Sequence, residues 1–510
     1  MFEKYVKWDN FSLPIILFLL TTITRIPFTS KYLYHMDSVQ FALALDRYDV
    51  TIHQPHPPGY FLYVMLGRLL NIFFHDANTV FVTISILFSG LAVLAIYLAG
   101  KELFGNRTGL FASLLAITSP AIWFHGEIAL TYIVEGFLSA MTALLCWKVY
   151  KGKHNYIWFS AIVLGISGGI RQNTLIFLLP LWLYCIKEVR FHKIIASLGI
   201  ICFTTLLWFI PMILMTGGLD VYMGAFRELW LFNTGNNSVF EEGWPVFKYY
   251  SSTLFDFTFY GLGAGLFFMV LALYSMVRNR KLNSPDMSRV LFFAFWILPS
   301  VLFYLLIFVH PANPGYALIY LPALVILAAA SVSCMAEELR TLTGADLSIA
   351  IMVALLVVNI YIYFFSGYPI SRGKIKENGR DLRVVLASLQ PFDPSDTVIF
   401  TGPYIYWGYR QIMYYLPEYR VYQMDFKRAP SGEMRKIFWG QHRSTFLTDK
   451  IVLPNKIRNF AVLLSSEDKK RILGIKGVHI INILPNMCII TGPITMIRQI
   501  YPEMNFFPCP

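Results

Sequence analysis

Charge is what this 510-residue chain has least of. Asp, Glu, Lys and Arg together make up 14% of it, against roughly a quarter in soluble globular domains. With 56% hydrophobic and 16% aromatic residues and a mean hydropathy of +0.55, the chain cannot be disordered, fibrous or an ordinary cytosolic enzyme. Cysteine is also scarce, at six residues. None sits in a CxxC or other zinc spacing, so a zinc ribbon and a dithiol redox motif are excluded. Cys146, Cys185, Cys202 and Cys334 fall in apolar runs and read as inert core thiols, whereas Cys488 and Cys509 remain able to pair. No HxH or HxxxH spacing occurs. The expectation is therefore a site without a metal, with a divalent cation as the minority alternative. The first apolar segment lacks a small-residue cleavage site, because Arg25, Ile26 and Pro27 stand where one is needed; it reads as a retained helix.

What charge there is, is unevenly spread. Residues 1–365 hold 22 Lys+Arg and 19 Asp+Glu, and residues 366–510 hold 20 and 11, so the net +12 divides into +3 and +9. This predicts a hydrophobic module over 1–365 and a polar domain over 366–510. A membrane helix needs about 20 largely apolar residues. Eleven segments qualify or nearly do: 12–29, 78–99, 108–124, 130–147, 156–170, 173–186, 194–215, 254–277, 290–309, 316–335 and 347–365. The apolar stretch 59–74 carries Arg68 at its middle and reads as a juxtamembrane helix. With that choice, 15 of the 22 Lys+Arg in 1–365 fall in loops on the N-terminal side. Positive loops stay in the cytoplasm, which predicts a cytoplasmic N-terminus and an extracytoplasmic C-terminal domain.

The opposite face carries an unusual collection. The loop 31–60, KYLYHMDSVQFALALDRYDVTIHQPHPPGY, supplies Asp37, Asp46, Arg47, Asp49, His53 and His56. Val39, Phe41, Ala42, Leu43 and Leu45 predict a short helix with Asp37 near its start, where a carboxylate meets unsatisfied backbone N–H groups. The next outer loop holds His125, Glu127, Tyr132 and Glu135, and Arg171 breaks a pair of short apolar segments. An ionisable group at membrane depth, as Glu135 is expected to be, is functional or paired. Plainer readings stand beside these: Asp37 as a helix cap, Glu127 and Glu135 as structural partners of Arg171, the histidines as hydrogen-bonding filler.

In order and spacing, MDSVQFA (36–42), HPPGYFLYVMLGRLL (56–70), KELFGNRTGLFASLLAITSPAIW (101–123), GEIALTYIVEGF (126–137) and GGIRQNTLIFLLP (168–180) resemble the GT-C superfamily of membrane glycosyltransferases. The likeness is to the polyprenyl-phosphate-sugar-dependent branch that includes protein O-mannosyltransferases and aminoarabinose transferases. It covers about the first 190 residues. The resemblance implies a polytopic α-helical membrane protein, a polyprenyl-phosphate-linked sugar donor, an extracytoplasmic protein, lipid or glycan acceptor, and inversion at the anomeric carbon. It implies Asp37 as catalytic base and Glu127 as the second acid. Many relatives pair the first acid with a neighbouring one, but here Ser38, Val39 and Gln40 follow Asp37, leaving one base and no metal pair. Transfer also needs cations where the leaving phosphate gains charge. Arg171 and Arg47, with His56, His53, Tyr132 and Glu135 around them, are the candidates for donor binding.

The larger outer loop 216–253 is aromatic and acidic and is expected to cover the site or to shield helix ends. Beyond 366, β-type runs at 397–400, 419–424, 460–464, 479–484 and 487–492, with helical patterns at 378–390 and 428–443, predict a small α/β domain. Nothing in that domain reads as a catalytic constellation. Membrane lipids are expected partners and nucleic acid is not. The alternative to a glycosyltransferase is a transporter or flippase of lipid-linked sugars without transfer chemistry.

Overall fold

The computed structural model describes residues 12–235, 238–278, 286–423, 437–441, 444–448, 450–465, 477–500 and 505–508. Lys4, Lys7, Arg280, Lys281 and Cys509 lie outside these residues. Contacts divide the chain into two units, 1–30 with 58–374 and 31–57 with 375–510.

The helices of the first half are α1 (Ser12–Arg25), α2 (Met36–Asp46), α3 (Phe61–Phe74), α4 (Ala77–Phe104), α5 (Asn106–Thr118), α6 (Pro120–His125), α7 (Tyr132–Tyr150), α8 (Tyr156–Ile170) and α9 (Gln172–Cys185). They are followed by α10 (Phe191–Thr216), α11 (Leu219–Thr234), α12 (Val239–Glu242), α13 (Trp244–Leu262), α14 (Gly265–Arg278), α15 (Met287–Leu306), α16 (Leu321–Thr343) and α17 (Ser348–Phe365). All but α2 belong to the first unit.

Each of the eleven apolar segments is helical. Among the described residues, six single helices are long and apolar enough to cross a membrane: α4, α7, α10, α15, α16 and α17. The pair α13 and α14, bent by 105°, makes a seventh if it counts as one span. Gly263 makes that bend. Its φ is +53°, and the Asn359 carboxamide occupies the space a Cβ would need, accepting a hydrogen bond from the Ala264 N–H at 3.4 Å. The loop 216–253 differs from expectation, since α11, α12 and the start of α13 fill most of it.

Burial grades these helices. α7 is 83% buried within the protein and packs against α4, α8 and α9. α10 is 17% buried and leaves Phe203, Leu207 and Leu214 exposed, as a surface meant for lipid would. An apolar helix that is exposed all along is stable only where the solvent is itself apolar. Tyr132 and Glu135 lie on that most enclosed helix, and Arg171 contacts it.

The second unit is α/β. Its sheet has the order β4-β3-β2-β1-β6-β8-β7, with β1 (Thr397–Thr401), β2 (Arg420–Gln423), β3 (Ile437–Gln441), β4 (Ser444–Thr448), β6 (Asn459–Ser465), β7 (His479–Leu484) and β8 (Met487–Pro493). A separate parallel pair joins β5 (Lys450–Leu453) to β9 (Asn505–Pro508). β1 pairs in parallel with β2 on one side (Ile399 opposite Val421) and with β6 on the other (Ile399 opposite Ala461). All five residues of β1 are buried, as a strand covered on both faces requires. Val398, Phe400, Tyr422, Phe460, Val462 and Ile490 lead the core on one face. Two helices, α18 (Arg372–Leu389) and α19 (Tyr409–Tyr415), accompany the sheet.

All five β-type runs are strands. The helical pattern at 428–443 is not a helix where it is described: Ile437–Gln441 is β3, antiparallel to β2 and β4. Consecutive Ile, Phe and Trp favour a pleated surface, and pairing on both sides overrides the helical spacing.

Candidate functional site

Residues 31–57 form an arm of the second unit, and Asp37 lies in the first turn of its helix α2. Asp37 does not cap that helix. His35 does: its Nδ1 accepts from the Asp37 N–H at 3.0 Å, and the His35 N–H donates to Ser38 Oγ at 3.3 Å. The Asp37 carboxylate instead stands between two imidazoles, with Oδ2 3.4 Å from His35 Nδ1 and Oδ1 3.8 Å from His56 Nδ1. Gln40, one turn along α2, accepts the His56 N–H at 3.2 Å and also contacts its ring Nδ1. The His56 turn is thereby tied to the helix that carries Asp37.

His53 adopts a left-handed conformation, φ +56°, at the end of the 3-10 turn Val50–Ile52. Burial, then the nearby Arg410 charge, hold its imidazole down to about 3, so it is neutral throughout the working range. Burial also lowers His35, against the pull of Asp37. Arg47 is placed differently: its side chain is 65% exposed and paired with Asp49 at 2.8 Å. Asp49 in turn caps the 50–52 turn through the Thr51 N–H.

Arg410 was not among the expected residues. It is fully buried at the start of α19, and its Nη2 donates to the carbonyls of Ile52 (3.2 Å) and His53 (3.3 Å). Burial lowers its pKa, while Tyr409 and Asp37 raise it. It remains a cation, as arginine does in proteins. Its only sequence signal is an arginine inside the aromatic run YIYWGYRQ (404–411), directly after a strand. Loops at the carboxyl ends of parallel strands are where α/β sheets put ligand contacts.

In the first unit, Arg171 sits at the break between α8 and α9 with extended backbone, φ −148° and ψ 118°. Its Nε lies 3.2 Å from Glu135 Oε2, and its Nη1 donates to Thr131 Oγ1 at 3.1 Å. Thr174 donates to the other Glu135 oxygen at 2.7 Å. Three tyrosine rings surround the guanidinium: Tyr132 at 4.4 Å, Tyr60 at 5.6 Å and Tyr316 at 5.7 Å. Tyr132 sits directly over Gly315, where a Cβ would lie 2.2 Å from its ring. Beside Arg171, Gln172 donates to the Pro58 carbonyl (3.1 Å) and Tyr222 (3.0 Å), and Asn173 donates to Tyr304 (3.3 Å). The buried Arg171 cation is thus enclosed by the Glu135 carboxylate, phenols and amides.

Glu127 belongs to a different network. It is fully buried, with Trp123 Nε1 donating to Oε1 at 2.6 Å and Tyr363 Oη to Oε2 at 2.5 Å. Burial pushes its carboxyl up to about 8, against the pull of Tyr363, Arg25 and Trp123. Arg25 lies over the Trp123 ring at 3.9 Å and donates to the Ile117 carbonyl at 2.6 Å. The Glu127 and Glu135 networks share no side chain. Among the described residues, no group of three or more His, Cys, Asp or Glu is placed to hold a metal ion.

Over its whole length the fold is similar to that of ArnT from Cupriavidus metallidurans bound to undecaprenyl phosphate. The two are 12% identical, the match covers 95% of this chain and 98% of that one, and the TM-score is 0.58. The chain has the GT-C fold. The apo state of the same ArnT matches at a TM-score of 0.51, with 12% identity and coverage of 94% and 97%. The Archaeoglobus fulgidus oligosaccharyltransferase in complex with Zn and sulfate matches at 0.47, with 14% identity over 79% of this chain and 61% of that one. Residues 47–194 match the profile of the protein O-mannosyl-transferase TMEM260 N-terminal domain. No curated protein sequence matches the chain. The chain thus has an Asp37 cluster in its second unit and an Arg171 cluster in its first.

Proposed function

We propose that this GT-C protein is an integral-membrane, inverting glycosyltransferase that moves one sugar from a polyprenyl-phosphate donor to an extracytoplasmic acceptor. The observation that carries the reading is the state of Asp37. An acid at the head of a helix normally spends itself on the cap; here His35 does that work, and the carboxylate faces two imidazoles instead. Asp37 takes the proton from the acceptor hydroxyl, the acceptor oxygen bonds to the anomeric carbon, and the bond from that carbon to the phosphate oxygen breaks. The electron pair leaves on the polyprenyl phosphate. No covalent sugar–enzyme intermediate is required, so no nucleophile is.

The Arg171 cluster takes the role of phosphate receptor, with Tyr132 as the principal ring against the guanidinium and Glu135 holding Nε. Glu127, enclosed by Trp123 and Tyr363, braces the segment between α6 and α7. The likeness to a protein bound to undecaprenyl phosphate supports a polyprenyl phosphate as the leaving group. The TMEM260 profile over 47–194 makes polyprenyl-phosphate mannose the first donor to offer. The 15 of 22 basic residues on the N-terminal side of the spans support a cytoplasmic N-terminus and an extracytoplasmic second unit.

The test is Asp37→Asn in membranes supplied with labelled donor. A general base contributes about 10²–10⁴-fold, so transfer falls by at least about 100-fold while donor binding persists. Transfer within threefold of wild type removes Asp37 as the base.

A further inference from the structure

Among the described residues, β1 is the one strand of the large sheet with parallel neighbours on both sides, β2 and β6. The crevice outside the carboxyl end of such a strand is where an open α/β sheet ordinarily holds a ligand. In this unit the loop 402–408, which leaves that end, and the helix α19 after it are occupied by the chain's own arm, residues 31–57. The Tyr406 ring meets Tyr34 (5.1 Å) and His35 (5.9 Å). Tyr415 accepts the Leu33 N–H at 2.9 Å and packs against Tyr32. Arg410 grips the Ile52 and His53 carbonyls, and Asn378 of α18 donates to Tyr34 at 2.9 Å.

Arg410 is more than one anchor among these. Its Nε and Nη1 are buried with no hydrogen-bond partner among the described residues. The two carbonyls it does hold carry no formal charge to balance its own. Asp37 is the carboxylate whose field acts on it. The other groups recorded against Asp37 are His35, His56 and His53 from the arm; Tyr406 packs on His35 and Tyr409 on Arg410, Asp46 lies at the far end of α2, and Arg47 is engaged with Asp49. With His53 neutral and burial disfavouring a charge on His35, Arg410 is the standing cation of the cluster. A buried cation with no counter-ion in contact is expensive unless a nearby charge offsets it, and such a cation favours the ionised form of a neighbouring carboxyl.

We propose that the C-terminal domain is part of the catalytic apparatus, holding the Asp37 arm in its switch-point crevice, and that Arg410 is the positioning residue that keeps Asp37 ionised and its turn fixed. This rests on Asp37 being the base. The experiment compares full-length wild type, Arg410→Lys, Arg410→Gln, Tyr415→Phe and Asp37→Asn, each purified in detergent, in transfer from labelled polyprenyl-phosphate mannose across pH 4.5–9. Arg410→Gln lowers kcat by about 10-fold or more and moves the acidic limb of the pH–rate profile upward by about one pH unit. Arg410→Lys, whose cation is shorter and mis-set, moves the limb upward by only part of that shift. Tyr415→Phe loosens the same docking without removing charge, and leaves the limb in place while lowering the melting temperature. An unmoved limb in Arg410→Gln, or the same shift in Tyr415→Phe, overturns the proposal. An active Asp37→Asn instead overturns the base assignment, so the two failures are distinguishable. If Arg410→Gln does not fold, the limb position in Arg410→Lys relative to Tyr415→Phe decides it: a cation shortened and mis-set in Arg410→Lys moves the limb part-way, and coincident limbs refute the role.

Discussion

Consider replacing Arg171 with Met. The guanidinium is 7% exposed and its partner carboxylate not at all, with Nε and Oε2 3.2 Å apart. Removing the cation leaves Glu135 buried with Thr174 as its remaining hydrogen-bond donor. Breaking a buried pair from one side costs about 3–5 kcal/mol, and loss of the Tyr132 contact at 4.4 Å adds about 0.5–2 kcal/mol. For a chain of this length, a loss of that size lowers the melting temperature by roughly 3–7 °C. The companion variant Glu135→Gln strands Arg171 instead and costs a similar amount. The informative protein is the double variant, which contains no buried unpaired charge. If the pair is a true couple, the double variant melts above Arg171→Met, so its loss falls short of the sum of the single losses by more than the Glu135→Gln loss itself, about 3–5 kcal/mol. Thermal melts of all four proteins in one detergent close the cycle. Additive losses, with the double variant the least stable, would refute the claim that Arg171 and Glu135 form one buried unit. Donor binding provides a second readout: the double variant regains stability but not donor affinity, because the cation is still missing.

Glu127 has a folded-state value of about 8 against an ordinary 4.5, so between those values the folded protein keeps a proton that the unfolded chain has lost. Stability therefore falls as pH rises from about 4.5 towards 8 and is level above that, by about 5 kcal/mol at most; in Glu127→Gln this dependence disappears from melting curves taken across pH 5–8, and an unchanged slope contradicts the assignment. Gly315→Ala puts a methyl where the Tyr132 ring lies. It costs about 1–3 kcal/mol and raises the donor KM more than it lowers kcat, whereas an unchanged KM separates Tyr132 from donor binding.

Much of the architecture was legible in patterning alone. The eleven apolar segments are helical because long apolar runs have no other stable form in lipid, and five of five β-type runs are strands because short runs rich in Val, Ile and Phe are bounded by turn residues. The membrane count was less legible: length decides a crossing, and segments such as 156–170 and 172–185 are short helices divided at Arg171. The bend at Gly263 depends on a positive φ stabilised by Asn359, almost a hundred residues away in sequence, and no local pattern reveals that. The same holds for the site. Asp37, Glu135 and Arg171 stood out as ionisable groups in an uncharged background, and the Glu135–Arg171 pairing was one of the readings open to them. That Glu127 pairs with Trp123 and Tyr363, and that Arg47 turns out to Asp49, depend on packing. Arg410 was invisible because its importance comes from contacts with residues more than 350 positions earlier, and its charge is one of 20 Lys and Arg in a tail that reads only as a polar domain. The arm 31–57 belongs with that tail by contact, which chain order does not indicate.

The central proposal is that this chain cleaves a lipid-linked sugar donor and does not merely move it. Purified wild-type protein in sealed vesicles, supplied with polyprenyl-phosphate mannose labelled in the sugar and with envelope extract as acceptor, tests that directly. The account predicts label on an acceptor and an equal amount of free polyprenyl phosphate, both abolished by Asp37→Asn. Intact labelled donor appearing on the opposite leaflet, with no free polyprenyl phosphate, would contradict it.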